Sequence, residues 1–213
     1  MFYWLNLTLS AAVSALRLGA GYSPDQTISH EPMPVLYEFE ACPFCRITRE
    51  SISEAGLVVH VKPCPKNGLR YRPDVTMLGG KAQFPFMVNT LTGEGQYESA
   101  DIARQTESLA GRKRPWVHWL GPINTLSSFY SNLFRFYNGG SVVPSKEPQK
   151  PLQYYGSELD PGGRLVKERL SSMELEYIWH PVAKGPKLHD PNTGKDVVGG
   201  GRIRKYLLAR YAV

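Results

Sequence analysis

Cys42-Pro43-Phe44-Cys45 places two thiols three residues apart, with a proline between them. Proline suits the first position of a helix, where its missing N–H would be unpaired anyway, so the spacing predicts a helix opening at this motif. Cys42 then faces unpaired backbone N–H groups and the positive end of the helix dipole, which lower a thiol pKa. A fall from ~8.5 to ~5.5 raises the thiolate fraction at pH 7 about thirtyfold, while a Brønsted slope of ~0.45 removes roughly twentyfold in intrinsic reactivity. The larger benefit comes when Cys42 departs from a mixed disulfide, because a low-pKa thiolate leaves faster. Cys45, one turn further in, is placed to act as the resolving thiol. The alternative is half of a zinc site completed by Cys64 and His60. Zinc ribbons bring a second Cys-x-x-Cys, and this chain has none, so thiol chemistry is favoured over a metal. Cys64 itself is boxed by Pro63 and Pro65 and cannot sit in a regular helix. It reads as a buried thiol or as a modulating cysteine near the pair, with burial favoured. Glu40, just ahead of the motif, is an acidic neighbour expected to raise the thiol pKa.

The composition sets the frame for this chemistry. The chain has 213 residues, 42% hydrophobic and 21% charged, which excludes disordered, collagen-like and disulfide-scaffold classes. Three cysteines fit a reducing intracellular compartment better than a secreted framework. The net charge of +6 leaves acidic small molecules and nucleic acids open as partners. Arg112-Lys113-Arg114 and the basic residues Arg202, Arg204, Lys205 and Arg210 form no concentrated patch with aromatics, so nucleic acid is not expected. Gly199-Gly200-Gly201 fits no nucleotide fingerprint.

The elements that must position the thiols are repeated along the chain. At a shift of 118 residues, Tyr37, Pro43, Arg46, Glu50 and Leu57 fall on Tyr155, Pro161, Arg164, Glu168 and Leu175. Further on the shift drops to 101, matching Pro85 with Pro186, Gly93 with Gly194 and Ile102 with Ile203. The chain thus reads as two copies of one unit, 1–118 and 119–213, the second lacking 17 residues between Lys184 and Pro186. Each copy opens on an apolar segment. In the second, Ile123, Leu126, Phe129, Tyr130, Leu133, Phe134 and Tyr137 give the spacing of an amphipathic helix. Packing on its own unit or its twin is the favoured role for such a helix. A membrane-surface anchor is the less favoured one, since the segment carries Arg135 alone. Residues 35–39 predict a strand, 43–55 a helix stopped by Gly56, and 58–61 a buried strand. A short helix and loop follow over 67–83, then strands 84–88 and 96–98, and a helix from Ala100 capped by Ser99. The order is β-α-β-α-β-β-α, parallel in its first half and a hairpin in its second, so the fold class is α/β.

A Cys-x-x-Cys at the turn from a first strand into a helix, followed by a strand beginning with proline, resembles thioredoxin-fold proteins. Cys-Pro-Phe-Cys, Gln83-Phe84-Pro85-Phe86 and Tyr97-Glu98-Ser99-Ala100-Asp101-Ile102 resemble glutaredoxins and the glutathione-binding, N-terminal domain of glutathione S-transferases. The doubled layout is similar to tandem glutaredoxin-like proteins of plants, algae and photosynthetic bacteria. The resemblance implies glutathione as the cofactor and a cis Pro85, with the Phe84 backbone pairing the cysteinyl part of glutathione. It implies Glu98 and Ser99 at the γ-glutamyl end, where a carboxylate answers the ammonium and a hydroxyl at a helix N-terminus answers the carboxylate. Lys81, Arg70 and Arg72 lie in the loop that could meet the glycyl carboxylate, although each alone reads more readily as a solvated charge. Plastid location is implied by the resemblance only. In the second copy Asp160 stands for Cys42, Gly163 for Cys45, Val182 for Cys64, and Gly199-Gly200 for Glu98-Ser99. That copy is therefore expected to be structural or to dock a partner. The activity expected of the whole is glutathione-dependent reduction of protein or small-molecule disulfides through Cys42. The alternatives are a glutathione-binding adaptor with little turnover and, lowest, a glutathione transferase.

Overall fold

In the computed structural model, residues 7–8, 20–112 and 139–213 are described below. Apart from helical Leu7 and Thr8, both expected leading helices lie outside these residues, as does the boundary at 118/119.

The first half follows the predicted order. Strand β1 (Val35–Glu38) leads into helix α1 (Pro43–Ala55), which ends on Gly56 in the left-handed region at φ 70°. Strand β2 (Val59–Pro63) alternates buried and half-buried residues, helix α2 (Arg72–Gly79) crosses over, and β3 (Phe86–Val88) and β4 (Gly95–Gln96) form the hairpin before α3 (Ser99–Ala110). The α3 cap is a correction: Glu98 is the N-cap and Ser99 the first helical residue. The strand limits also shift by one or two residues, because ladder pairing rather than side-chain pattern sets where a strand stops. The second half runs β5 (Leu152–Tyr155), α4 (Pro161–Ser172), β6 (Tyr177–His180), β7 (Lys187–Asp190), β8 (Lys195–Val198) and α5 (Gly200–Tyr211). Only six residues separate β6 from β7, with no helix between them.

All eight strands form one sheet in the order β4-β3-β1-β2-β6-β5-β7-β8. β1 pairs parallel with β2 and antiparallel with β3, and β5 does the same with β6 and β7. The halves meet where β2 runs antiparallel to β6, placing Val59 opposite Trp179 and Val61 opposite Tyr177. The apolar core crosses this seam unbroken, from Leu36, Ile52 and Met87 to Tyr154, Trp179 and Leu207. A second cluster (Tyr37, Cys64, Tyr71, Val75 and Phe86) belongs to the first half alone and lies under α2. The second half has no counterpart of α2 among the described residues, and the outer face of its strands carries half-buried Gln153, Tyr155, Ile178 and His180 in place of a core.

Candidate functional site

The first turn of α1 places the Cys-x-x-Cys. Cys42 is the N-cap, in extended conformation at φ −80° and ψ 122°, and its sulfur accepts the Cys45 backbone N–H at 3.2 Å. That hydrogen bond stabilises the thiolate and holds the Cys42 thiol below its ordinary value. Burial opposes the shift, while the charge of Arg49 adds to it and that of Glu38 subtracts from it. Cys45 is fully buried, and burial first, then the neighbouring sulfur, pushes its thiol far up. The two thiols are thus driven apart, one toward thiolate and one held protonated. This asymmetry marks Cys42 as the nucleophile of the pair and leaves Cys45 the less reactive thiol.

The charge beside the pair differs from the sequence expectation. Glu40 is buried and turned toward Arg49, whose Nε lies 3.2 Å from its carboxylate. The acid whose charge bears on Cys42 and Cys45 is Glu38, at the end of β1. Arg49 was missed as a site residue. Its signal is its place on α1, one turn beyond Cys45 and so on the same helix face.

A groove of about 290 Å³ is lined by Phe44, Gln83, Phe84, Pro85, Tyr97, Glu98 and Ser99. The Phe84–Pro85 peptide is cis, and the Phe84 carbonyl oxygen stands 4.0 Å from the Cys42 sulfur. Cys42 is thus buried behind Phe84, the lining residue that its sulfur approaches. Glu98 accepts a hydrogen bond from Gln83 Nε2 at 3.0 Å, and Ser99 opens α3 beside it. Gln83 and Phe44 complete the lining. Phe44 is the exposed side chain of the motif, a position that the spacing of the cysteines marks without explaining.

The three basic candidates separate cleanly. Arg70 donates to the backbone oxygens of Met173, Glu174 and Ser145, so it is a strut between the halves, away from the groove. Lys81 lies over the Tyr97 ring, its nitrogen 4.6 Å from the centroid. Arg72 stacks on Phe84 at 4.7 Å and on Phe39 at 5.8 Å, while its Nε donates to the Pro65 carbonyl at 2.7 Å. Stacking and that one bond hold the guanidinium against Phe84, itself a lining residue of the groove. Cys64 is fully buried and lies in the cluster under α2, where burial pushes its thiol up. Among the described residues no three His, Cys, Asp or Glu side chains converge as a metal-ligand set.

The equivalent place in the second half is filled by the chain itself. Asp160 caps α4, its two carboxylate oxygens accepting Gly162 N–H and Gly163 N–H at 3.0 Å each. A Cβ on Gly163 would stand 2.2 Å from the Tyr154 hydroxyl, and one on Gly200 only 2.6 Å from the Gly162 carbonyl. The first turns of α4 and α5 therefore approach too closely to leave the groove that α1 and α3 keep.

Residues 36–114 match the family model of the glutathione S-transferase N-terminal domain, which identifies a thioredoxin-fold domain of that kind over this stretch. No curated protein and no solved structure gives a match.

Proposed function

We propose that the chain is two thioredoxin-fold units in tandem, 1–118 and 119–213, of which the first binds glutathione and reduces disulfides through Cys42. The observation that carries this reading is the Cys42 sulfur, bonded to a helix-terminal N–H and 4.0 Å from the carbonyl of Phe84, which lines one groove with Glu98 and Ser99. The groove chemistry fits a tripeptide thiol. Glu98, steadied by Gln83, answers an ammonium, and Ser99 with the first turn of α3 answers the adjacent carboxylate. The Phe84 backbone borders the place of the thiol, and Arg72 or Lys81 meets the far carboxylate.

In the proposed reaction the Cys42 thiolate attacks the glutathione sulfur of a protein–glutathione disulfide. A Cys42–glutathione disulfide forms, and the protein sulfur leaves as thiolate and takes a proton. A second glutathione thiolate then attacks the glutathione sulfur held on Cys42. Oxidised glutathione departs, and Cys42 returns as thiolate, the leaving group that its hydrogen bond favours. Cys45 supplies the dithiol route only after giving up a proton that burial holds tightly.

Measuring glutathione-dependent disulfide reduction coupled to glutathione reductase tests the proposal. Cys42→Ser is expected to lower turnover at least about a hundredfold, because a hydroxyl neither attacks nor leaves as a thiolate does. Undiminished activity in that variant would falsify the assignment. Glutathione binding by titration without turnover would favour the adaptor reading, for which the cysteine-free half is the docking element.

A further inference from the structure

The seam between the halves buries charge. Glu40, Arg49, Glu158 and Lys167 are each at most 2% exposed. The repeat explains the set: the shift of 118 that carries Arg46 to Arg164 also carries Glu40 to Glu158 and Arg49 to Lys167. Each half thus contributes one carboxylate and one cation. Arg49 contacts Glu40 of its own half at 3.2 Å and Glu158 of the other at 3.4 Å. Lys167 is paired with Glu158 and stands over the Trp179 ring at 4.4 Å. Glu158 is fixed from both sides, its N–H donating to Ser53 Oγ at 2.9 Å and its carbonyl accepting from Arg164 at 2.9 Å. The second half lost both thiols of the motif and the Glu-Ser pair, yet it kept this carboxylate and this cation. Burying such a group is costly unless it is paired, so its presence in the half without thiols calls for a use.

Arg49 gives that use. It is the cation bearing on Cys42, and it also grips Glu38, the acid that bears on both thiols of the motif. We propose that Glu158 and Lys167 of the cysteine-free half are positioning residues for the Cys42 thiol, acting through Arg49 and Glu38. In a dry seam, charges are poorly screened, so one more or one fewer at position 167 reaches the thiol. The groups facing Cys42 are Cys45 and Arg49 of α1 and Glu38 of β1. Those facing Lys167 are Glu158 and Arg164 from its own half, with Glu38, Glu40, Arg46 and Arg49 from the other. Tyr154 and Tyr177 border the same cluster, their phenols held protonated by burial. Burial depresses the Lys167 ammonium to about 7, so its charge changes near neutral pH.

The inference rests on reading Cys42 as the reactive thiol, and its test reads the thiol rather than turnover. The pH dependence of iodoacetamide alkylation at Cys42 is measured in the full chain. Lys167→Met leaves a surplus anion at the seam and is expected to raise the midpoint by about half a pH unit. Lys167→Arg, which keeps the charge, and the double variant Glu158→Gln/Lys167→Met, which removes both signs, return it to the wild-type position. A wild-type midpoint in folded Lys167→Met, or a Lys167→Arg shift as large as that of Lys167→Met, overturns the proposal. Where Lys167→Met does not fold, the reciprocal measurement decides, since coupling is equal in both directions. The Lys167 resonance titrated by NMR is then expected to have a lower midpoint in Cys42→Ser than in wild type, and equal midpoints overturn the coupling. An inactive protein whose thiol follows the charge at 167 loses the proposed activity and keeps the coupling. An active one indifferent to that charge does the reverse.

Discussion

Cys42 and Asp160 occupy equivalent first turns, and each accepts backbone N–H groups there, yet the two seats have opposite fates. At α1 one N–H meets a sulfur 3.2 Å away, and the groove beside it stays open. At α4 two N–H groups meet the Asp160 carboxylate, and Gly162 and Gly200 let the neighbouring helix close over the seat. A helix N-terminus stabilises whatever anion it is given. A thiolate spends that stabilisation on reactivity, whereas a carboxylate spends it on the fold. The difference teaches that the half without the thiols has the two-bond cap and the closer approach of its helix starts.

The largest effect that sharpens this contrast is kinetic. At pH 7 iodoacetamide is expected to label Cys42 at least about a hundredfold faster than Cys45 or Cys64, and all three at similar rates in urea. Mass spectrometry of the labelled chain checks it, and comparable rates in the folded protein would break the distinction. The sign of the linked stability follows from the lowered Cys42 thiol. Its contribution is complete above the unfolded value near ~8.5 and is lost as pH falls through the folded one. Wild type should therefore gain stability relative to Cys42→Ser as pH rises toward that unfolded value. Next in size is the groove: Glu98→Ala is expected to weaken glutathione about tenfold by calorimetry, while Gly199→Glu in the second half gains no binding. The smallest effect is structural. Asp160→Ala should cost about 1 kcal/mol in urea unfolding, more than Cys42→Ala, because it strips a two-bond cap rather than a one-bond one. An equal cost at both positions would mean that the two seats contribute alike to the fold.

Much of the positioning was legible in the sequence, and the reason differs by residue. Pro43 after Cys42 and Gly56 at the far end bound α1, because each has a backbone requirement that few residues share. The missing helix between β6 and β7 was readable as a gap of 17 residues in the repeat. Ser99 was misplaced by one position, since Glu and Ser are both acceptable at an N-terminus and pattern alone does not choose between them. Arg49, Glu38 and the true partner of Glu40 were not legible. The Arg49 pairs with Glu38 and Glu40 depend on how α1 packs against the end of β1, and its contact with Glu158 depends on the β2–β6 register, and neither is a property of one segment. Arg70 shows the same limit, a plausible anion ligand by position that the fold uses as a strut.

The β2–β6 pairing also decides what the chain can be cut into. A half separated from its twin would carry Val59–Val61 or Tyr177–Trp179 as a naked edge strand, its N–H and C=O groups open to any passing chain. It would also open the core at Trp179 and Tyr154 and bare charges that water has not reached. The seam is thus a safeguard against self-association, and the thiol half has no independent surface of its own on that side.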